Sequence, residues 1–242
     1  MSVQNRLTHD SYVNGVIPRH LTFDVFSVLF DWEGSLRPFV AELLKGEARV
    51  VDVSAFLQIW RRKQLEYTYI TTMLGKKYVS FETLTKRALE YALKVFQISA
   101  NQDRVKQLVD AWGELEAFPD VNDALVQLKK KYTIRMLSNG DQEVLKRLAA
   151  RLLIDFDAII SADTAGAYKP HPRIYLKAVE QIGNDASCIM HVAGSGLDVI
   201  GAKAAGLSVA WVNRKGVPMD MWDYVADLEV KDLQELSATL LG

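Results

Sequence analysis

Hydrophobic and polar positions along the 242-residue chain alternate between short apolar runs and longer helical patterns. In the short runs apolar residues follow one another without alternating polar residues, which is typical of strands buried on both faces. Strands that alternate with helices of about ten residues predict parallel pairing through right-handed crossovers. We therefore expect an α/β fold with a doubly wound, parallel, Rossmann-like sheet. The predicted strands are LTFDV, YTIRML, DAIIS, SCIMHV and LSVAWV.

The segment between the first two predicted strands is helical throughout. Ser54 is a candidate N-cap and Gly75 a candidate end for one long helix, and Ser80 is a candidate N-cap for the next. Because open α/β sheets bind ligands at the carboxyl ends of their strands, this segment is expected to cover that edge as an inserted α-helical cap. The expected domains are an N-terminal tail at 1–19, an α/β core at 20–33 and 119–242, and a helical cap at 34–118.

Composition limits the classes of partner. The 29 Lys and Arg residues nearly balance 30 Asp and Glu residues, so no overall field attracts nucleic acid or an acidic membrane. No run reaches the roughly 20 apolar residues that span a bilayer, and the N-terminus does not resemble a signal peptide. The single Cys188, within a predicted core strand, favours a structural thiol in a reducing compartment. We expect a cytoplasmic protein with a small-molecule partner.

Polar side chains follow four of the predicted strands. Asp24 ends the first, Ser138 and Asn139 follow the second, and Lys169 and Asp198 follow the third and fourth. Carboxyl ends of parallel strands share one edge of a sheet, so these side chains should converge. A nearby lysine would keep an aspartate ionised, and helix-start amides could hold a carboxylate or phosphate. The set indicates covalent catalysis by the carboxylate of Asp24.

Each of these residues also has an ordinary structural explanation when it is taken alone. A strand-end aspartate can cap a helix or loop, and a Ser-Asn pair can form a turn. Lys169 and the basic run at 61–63 can belong to the solvated surface. Their joint occurrence in this order favours the functional interpretation.

Four short motifs carry a resemblance to the haloacid dehalogenase superfamily. FDVFSVL, LSNG, YKP and GSGLD occur in the order typical of that superfamily. WRRKQLEYT at 60–68 and YVSFETLTKRAL at 78–89 are similar to the cap of its type II L-2-haloacid dehalogenases. The resemblance covers residues 20 to 240. It implies conversion of an L-2-haloacid to a D-2-hydroxyacid and halide.

The resemblance implies a role for each matching residue. Asp24 matches the nucleophile, which displaces halide from the α-carbon and forms an aspartyl ester that water hydrolyses. Arg61 matches the cap arginine that receives the halide. Lys169 and Asp198 match the pair that supports the nucleophile and the water. The other implied site residues are Asn139 and Phe81 beside the halide, Ser138 with the backbone N–H groups of Val25 and Phe26 at the substrate carboxylate, Tyr175 near the lysine pair, Ser195 in the network that positions the water, and Leu197 in the pocket. Helical spacing independently places the apolar Leu65 beside Arg61 on the same helix face.

Two positions distinguish dehalogenase from phosphatase chemistry. Phosphatases of the superfamily carry a second aspartate where this chain has Phe26, and an acid that helps to hold Mg²⁺ where it has Gly194. A hard divalent cation prefers several anionic oxygen ligands, so we expect no metal and no cofactor. A phosphatase or other phosphoryl-transfer enzyme is the alternative.

Other positions depart from the dehalogenase pattern. Ser27 and Val28 replace a usual Gly and Thr, and Ala193 and Ser195 replace a usual Ser and Asn. Leu197 replaces a common aromatic. A catalytically silent binding protein is therefore the second alternative. Because relatives are often homodimers, the apolar cap helices are a candidate dimer interface.

Overall fold

The computed structural model describes residues 18–45, 50–75, 77–183, 185–219 and 223–242. Within them six strands form one parallel sheet in the order β3-β2-β1-β4-β5-β6. Nearly all of the predicted tail at 1–19 lies outside the described residues. The sheet confirms the predicted fold class. The strands are β1 His20–Phe23, β2 Thr133–Ser138, β3 Ala158–Ser161, β4 Ile189–Ala193, β5 Ser208–Val212 and β6 Leu228–Val230.

Helices occupy the connections between the strands. Five of them, α1 to α5, stand between β1 and β2, and α1 to α4 occupy the segment where the cap was predicted. The boundaries predicted for the tail, the core and the cap remain predictions. No described helix has the length and apolar character needed to cross a membrane. The helices are α1 Trp32–Leu44, α2 Val53–Met73, α3 Phe81–Phe96, α4 Gln102–Asp110, α5 Val121–Leu128, α6 Gln142–Ala149, α7 Ala162–Ala165, α8 Pro172–Ile182, α9 Gly196–Ala204 and α10 Leu233–Leu241.

Local capping signals explain several helix ends. Ser80 caps α3, because its hydroxyl accepts a hydrogen bond from the N–H of Thr83. Gly75, with φ of +59°, follows the end of α2 as predicted. The prediction that Ser54 caps α2 is wrong, since the carboxylate of Asp52 accepts from the N–H of Ala55. Aspartate and serine are comparable N-caps, so the sequence alone did not separate them.

The described strands place β1 in the middle of the sheet. The chain runs from β1 to one side through β2 and β3, and then to the other side through β4, β5 and β6. The crevice where strand order reverses is the usual ligand site of such sheets. Asp24 follows β1 at this point, and its backbone N–H donates to the carbonyl of Val192 on β4.

Direct hydrogen bonds join the helical segment to the loop after β2. The carboxylate of Asp141 accepts from the hydroxyl of Tyr78 and from the N–H groups of Phe81 and Glu82 at the start of α3. The hydroxyl of Tyr168 donates to the carbonyl of Val79 at 2.6 Å. The start of α3 is thereby held to the loops that follow the strands, and Arg61 of α2 lines the same cavity as Asp24.

Candidate active site

A buried lysine lies between two carboxylates at the carboxyl edge of the sheet. The ammonium Nζ of Lys169 is 3.1 Å from Oδ1 of Asp24 and 2.9 Å from Oδ2 of Asp198. The side chains of Lys169 and Asp198 are 6% and 5% exposed, and that of Asp24 is 15% exposed. At this burial each charge depends on its partners, because water no longer solvates it.

Further donors fix Asp198. The hydroxyl of Tyr175 donates to its Oδ1 at 2.7 Å, and Nε2 of His191 lies 3.0 Å from its Oδ2. The backbone N–H of Asp198 donates to Oγ of Ser195, which caps α9. Asp198 is therefore held on both carboxylate oxygens, whereas Asp24 accepts a side-chain hydrogen bond from Lys169 alone among the described residues.

The two carboxylates differ in proton affinity. Burial raises the pKa of Asp24 above its ordinary value of 3.8, although Lys169 opposes the rise and the charge of Asp198 adds to it. Burial also works against ionisation of Asp198, but the charge and hydrogen bonds of His191 and Lys169 outweigh it and hold its pKa well below 3.8. The fixed negative charge of the site therefore lies on Asp198.

Arg61 enters the site from α2 within a box of aromatic rings. Its guanidinium carbon lies 5.6, 5.5 and 5.3 Å from the ring centroids of Phe26, Trp32 and Trp112. Its Nη1 donates to the side chain of Gln64, one turn along the helix. Burial lowers the pKa of Arg61 to about 10, so the guanidinium stays charged at neutral pH. The result is a fixed, poorly hydrated cation.

A cavity of about 720 Å³ connects these groups. Among the predicted site residues, nine line it and four do not. Those lining it are Asp24, Phe26, Arg61, Leu65, Asn139, Lys169, Ser195, Leu197 and Asp198.

The other four predicted residues lie behind the cavity wall. Phe81 stacks on Phe26 with ring centroids 5.3 Å apart, and Tyr175 bonds Asp198. Ser138 is fully buried, and its hydroxyl accepts only a long bond of 3.5 Å from the N–H of Gly140. The side chain of Val25 is buried, which leaves its backbone N–H as the group that can face a ligand.

The loop after the first strand carries the departures from the family pattern. Ser27, at the usual glycine position, has φ of +78°, so this loop requires the left-handed region that glycine adopts more readily. Val28 and Ala193 are fully buried and bring no hydroxyl to the site. A Cβ at Gly194 would come within 2.9 Å of the side chain of Val28 and 3.3 Å of Oδ2 of Asp24. An acidic residue at this position has no room in the present packing.

The donor set does not suit a divalent metal. The ammonium of Lys169 stands between the two carboxylates, where a cation bridging them would have to bind. Within the described parts of the chain, no group of three or more His, Cys, Asp and Glu side chains is arranged to hold a metal ion. Mg²⁺ binding would require displacement of a paired lysine and further oxygen ligands.

Several residues of the site were not predicted from the sequence. His191 is one of them, and its imidazole contacts both Asp198 and Lys169. Tyr69 lines the cavity one helix turn from Leu65, and Trp32 and Trp112 flank Arg61. The i, i+4, i+8 spacing of Arg61, Leu65 and Tyr69 was a signal for the tyrosine. The tryptophans reach the site only through the packing of α1 and the turn after α4.

Comparison with known proteins defines the class. A family model described as haloacid dehalogenase-like hydrolase matches residues 18–206. The chain belongs to this family, which confirms the resemblance inferred from the motifs.

Individual relatives show which enzymes within this family the chain is similar to. The chain is 31% identical over 237 residues to the (S)-2-haloacid dehalogenase of Pseudomonas sp. strain YL, covering 96% of this chain and 97% of that protein. It is 31% identical over 213 residues to haloacetate dehalogenase H-2 of Moraxella sp. strain B, covering 87% and 92%. The solved L-2-haloacid dehalogenase from Xanthobacter autotrophicus with chloropropionic acid covalently bound matches with a TM-score of 0.80 at 27% identity, covering 93% and 99%.

The order of protonation of the two carboxylates can be measured directly. As pH falls from neutral, we expect Asp24 to take up its proton above pH 3.8, whereas Asp198 stays ionised below that pH. Carbon-13 NMR of labelled aspartates, assigned with Asp24→Asn, follows each carboxyl. Lys169→Met should raise the pKa of Asp24 further, because it removes the one nearby positive charge that bonds it. Titration of Asp198 before Asp24 would contradict this charge distribution.

Proposed function

We propose that the protein hydrolyses short L-2-haloalkanoic acids to D-2-hydroxyacids and halide through an aspartyl ester on Asp24. The observation that carries the proposal is the ammonium of Lys169 between Asp24 and Asp198, with Phe26 and Gly194 where acidic residues would serve a phosphatase. A lysine can neutralise the surroundings of a nucleophilic carboxylate without blocking its attack on carbon.

In the first step a carboxylate oxygen of Asp24 bonds to the α-carbon while the carbon–halogen bond breaks. The halide leaves with the bonding electrons, so no proton is needed. Oδ1 faces Lys169, and Oδ2 accepts no hydrogen bond from the described residues, which leaves its lone pairs available. Attack from the side opposite the halogen inverts the α-carbon. The raised pKa of Asp24 increases the basicity of this nucleophile.

In the second step water attacks the carboxyl carbon of the ester. Its oxygen bonds to Cγ of Asp24, the bond from Cγ to the ester oxygen breaks, and Asp24 recovers a carboxylate. One proton of the water passes to the oxygen of the leaving hydroxyacid and the other is released. Asp198, held ionised, is the base placed to orient this water. The α-carbon is untouched, so the inversion of the first step is kept.

The substrate needs an anion anchor and a halide site. The backbone N–H groups of Val25 and Phe26 donate to no acceptor among the described residues, which supports their role in binding the substrate carboxylate. Arg61, desolvated by its aromatic box and lining the same cavity as Asp24, is the proposed halide receptor. Asn139 orients the site, because its side-chain oxygen accepts from the backbone N–H of Lys169.

The direct test is halide release from L-2-chloropropionate in the presence of EDTA. We expect halide and D-lactate in equal amounts, and mass spectrometry of enzyme trapped during turnover should find the ester on Asp24. Asp24→Asn should abolish turnover while the thermal transition stays cooperative.

Each alternative gives a different result in this experiment. Activity confined to phosphoesters and to Mg²⁺-containing buffer would support the phosphatase alternative and contradict the dehalogenase proposal. No turnover and no adduct with any small haloacid would support a silent binding protein.

Arg61 and its neighbour Arg62 form a matched pair for testing the halide site. Arg61 lines the cavity, whereas Arg62 is exposed on the same helix. We expect Arg61→Ala to lower kcat by an amount equivalent to about 2 to 4 kcal/mol of transition-state stabilisation, because the departing halide loses its cation. Arg62→Ala should change kcat little. Equal kcat for Arg61→Ala and the parent would refute the role.

We further propose a cytoplasmic homodimer that joins through the cap helices. Large apolar side chains are exposed at the end of α2 and along α3, and some of them line a groove of about 480 Å³. Ile70, Leu74 and Tyr91 line this groove together, and an exposed apolar surface of this kind is typical of an interface. These side chains are Ile70, Met73, Leu74, Tyr91 and Val95.

Light scattering after gel filtration tests the dimer. We expect the mass of a dimer for the parent and of a monomer for Met73→Glu combined with Leu74→Glu, since two buried charges would oppose association. Leu153→Glu is the control, because Leu153 is equally apolar and exposed but lies far along the chain from this surface. A monomeric parent at micromolar concentration would contradict the proposal.

A further inference from the structure

A buried histidine and threonine lie directly beneath the two carboxylates. His191 on β4 and Thr22 on β1 are paired residues of adjacent parallel strands, and both are fully buried. Oγ1 of Thr22 lies 2.9 Å from Nδ1 of His191. A buried imidazole in a hydrophobic core must have partners for both nitrogens, so its second nitrogen matters as much as the first.

The second nitrogen faces the charged groups of the site. Nε2 of His191 lies 3.0 Å from Oδ2 of Asp198 and 3.3 Å from Nζ of Lys169. The shorter contact is to an anion, and it is favourable when Nε2 carries a hydrogen, in the neutral tautomer as well as in the imidazolium. A bare Nε2 would instead oppose its lone pair to the carboxylate. We therefore assign Nε2–H as the donor to Asp198.

Two nearby positions that carry hydroxyls in the family pattern lack them in this chain. Positions 28 and 193 usually carry Thr and Ser, whereas this chain has Val28 and Ala193. Side chains two residues apart on a strand point to the same face, so His191 stands on the face of β4 from which a hydroxyl at 193 would project. The longer imidazole reaches the carboxylate from one position further back along the same face.

We infer that His191, oriented by Thr22, is a positioning residue that fixes Asp198, and through it Lys169. The inference rests on the proposed two-step reaction. It assigns no contact between His191 and substrate.

The contact between His191 and Asp198 matters most in the ester intermediate. When Asp24 becomes an ester it loses its charge, and Asp198 is then the one carboxylate still paired with Lys169. Tyr175 holds Oδ1 of Asp198, so His191 is the protein donor other than Lys169 that holds Oδ2. Loss of this donor should therefore impair ester hydrolysis more than ester formation.

Two substitutions separate positioning from simple packing. His191→Gln keeps an amide N–H close to the place of Nε2, whereas His191→Asn keeps a polar group near Nδ1 and Thr22 but no donor that reaches Asp198. For His191→Asn we expect kcat to fall roughly 10- to 100-fold, with KM changed by no more than about threefold and ester accumulating on Asp24. His191→Gln should stay within about threefold of the parental kcat.

A control variant uses a histidine outside the site. His20→Asn is the matched control, because Nδ1 of His20 bonds the hydroxyl of Thr133 at 2.6 Å at the opposite end of the sheet. Its removal should leave the ester fraction unchanged even if it lowers the melting temperature.

A crystal structure of His191→Asn gives a readout that is independent of activity. We expect Asp198 and the Lys169 ammonium to shift from their parental positions. Unchanged distances among Asp24, Lys169 and Asp198 would overturn the inference, as would equal losses of kcat in the Asn and Gln variants or no ester accumulation. If the parent releases no halide at all, the proposed function fails, and the crystal structure alone then decides whether His191 positions the pair.

Discussion

The ammonium of Lys169 between Asp24 and Asp198 is the interaction on which the rest of the site depends. Two carboxylates this buried would repel each other and would tend to take up protons without a shared cation. One lysine serves both, but unequally, because Asp198 has further donors in Tyr175 and His191 whereas Asp24 has none among the described residues. The pair is thereby divided into a permanently charged anchor and a more basic, less restrained carboxylate.

The topology of the sheet explains how Asp24 comes to lie beside Lys169 and Asp198. Asp24 follows the central strand, and Lys169 and Asp198 come from connections on either side of it, so the crevice at the reversal of strand order brings them together. Arg61 comes from helix α2, in the helical segment inserted after β1. In the proposed reaction this separate location leaves Lys169 beside the nucleophile and places Arg61, within its aromatic box, to receive the halide.

Local signals were sufficient for much of this arrangement. Strand ends and Ser80 as a cap follow from a few neighbouring residues, and the motifs indicated Asp24, Lys169 and Asp198. β6, with three residues, and α7, with four, were too short to carry a pattern. The bond between Thr22 and His191 depends on strand register across 169 positions, and the positive φ of Ser27 depends on tertiary packing. Neither the bond nor the positive φ can be predicted from a local sequence pattern.

The most direct test of the central claim is a calorimetric titration of the protein with Mg²⁺ at neutral pH. If Lys169 neutralises the two carboxylates, no saturable binding should appear, because its ammonium occupies the place where a bridging ion would have to bind. Stoichiometric Mg²⁺ binding by the parent that is lost in both Asp24→Asn and Asp198→Asn would contradict the account, since a metal would then occupy the place assigned to the lysine.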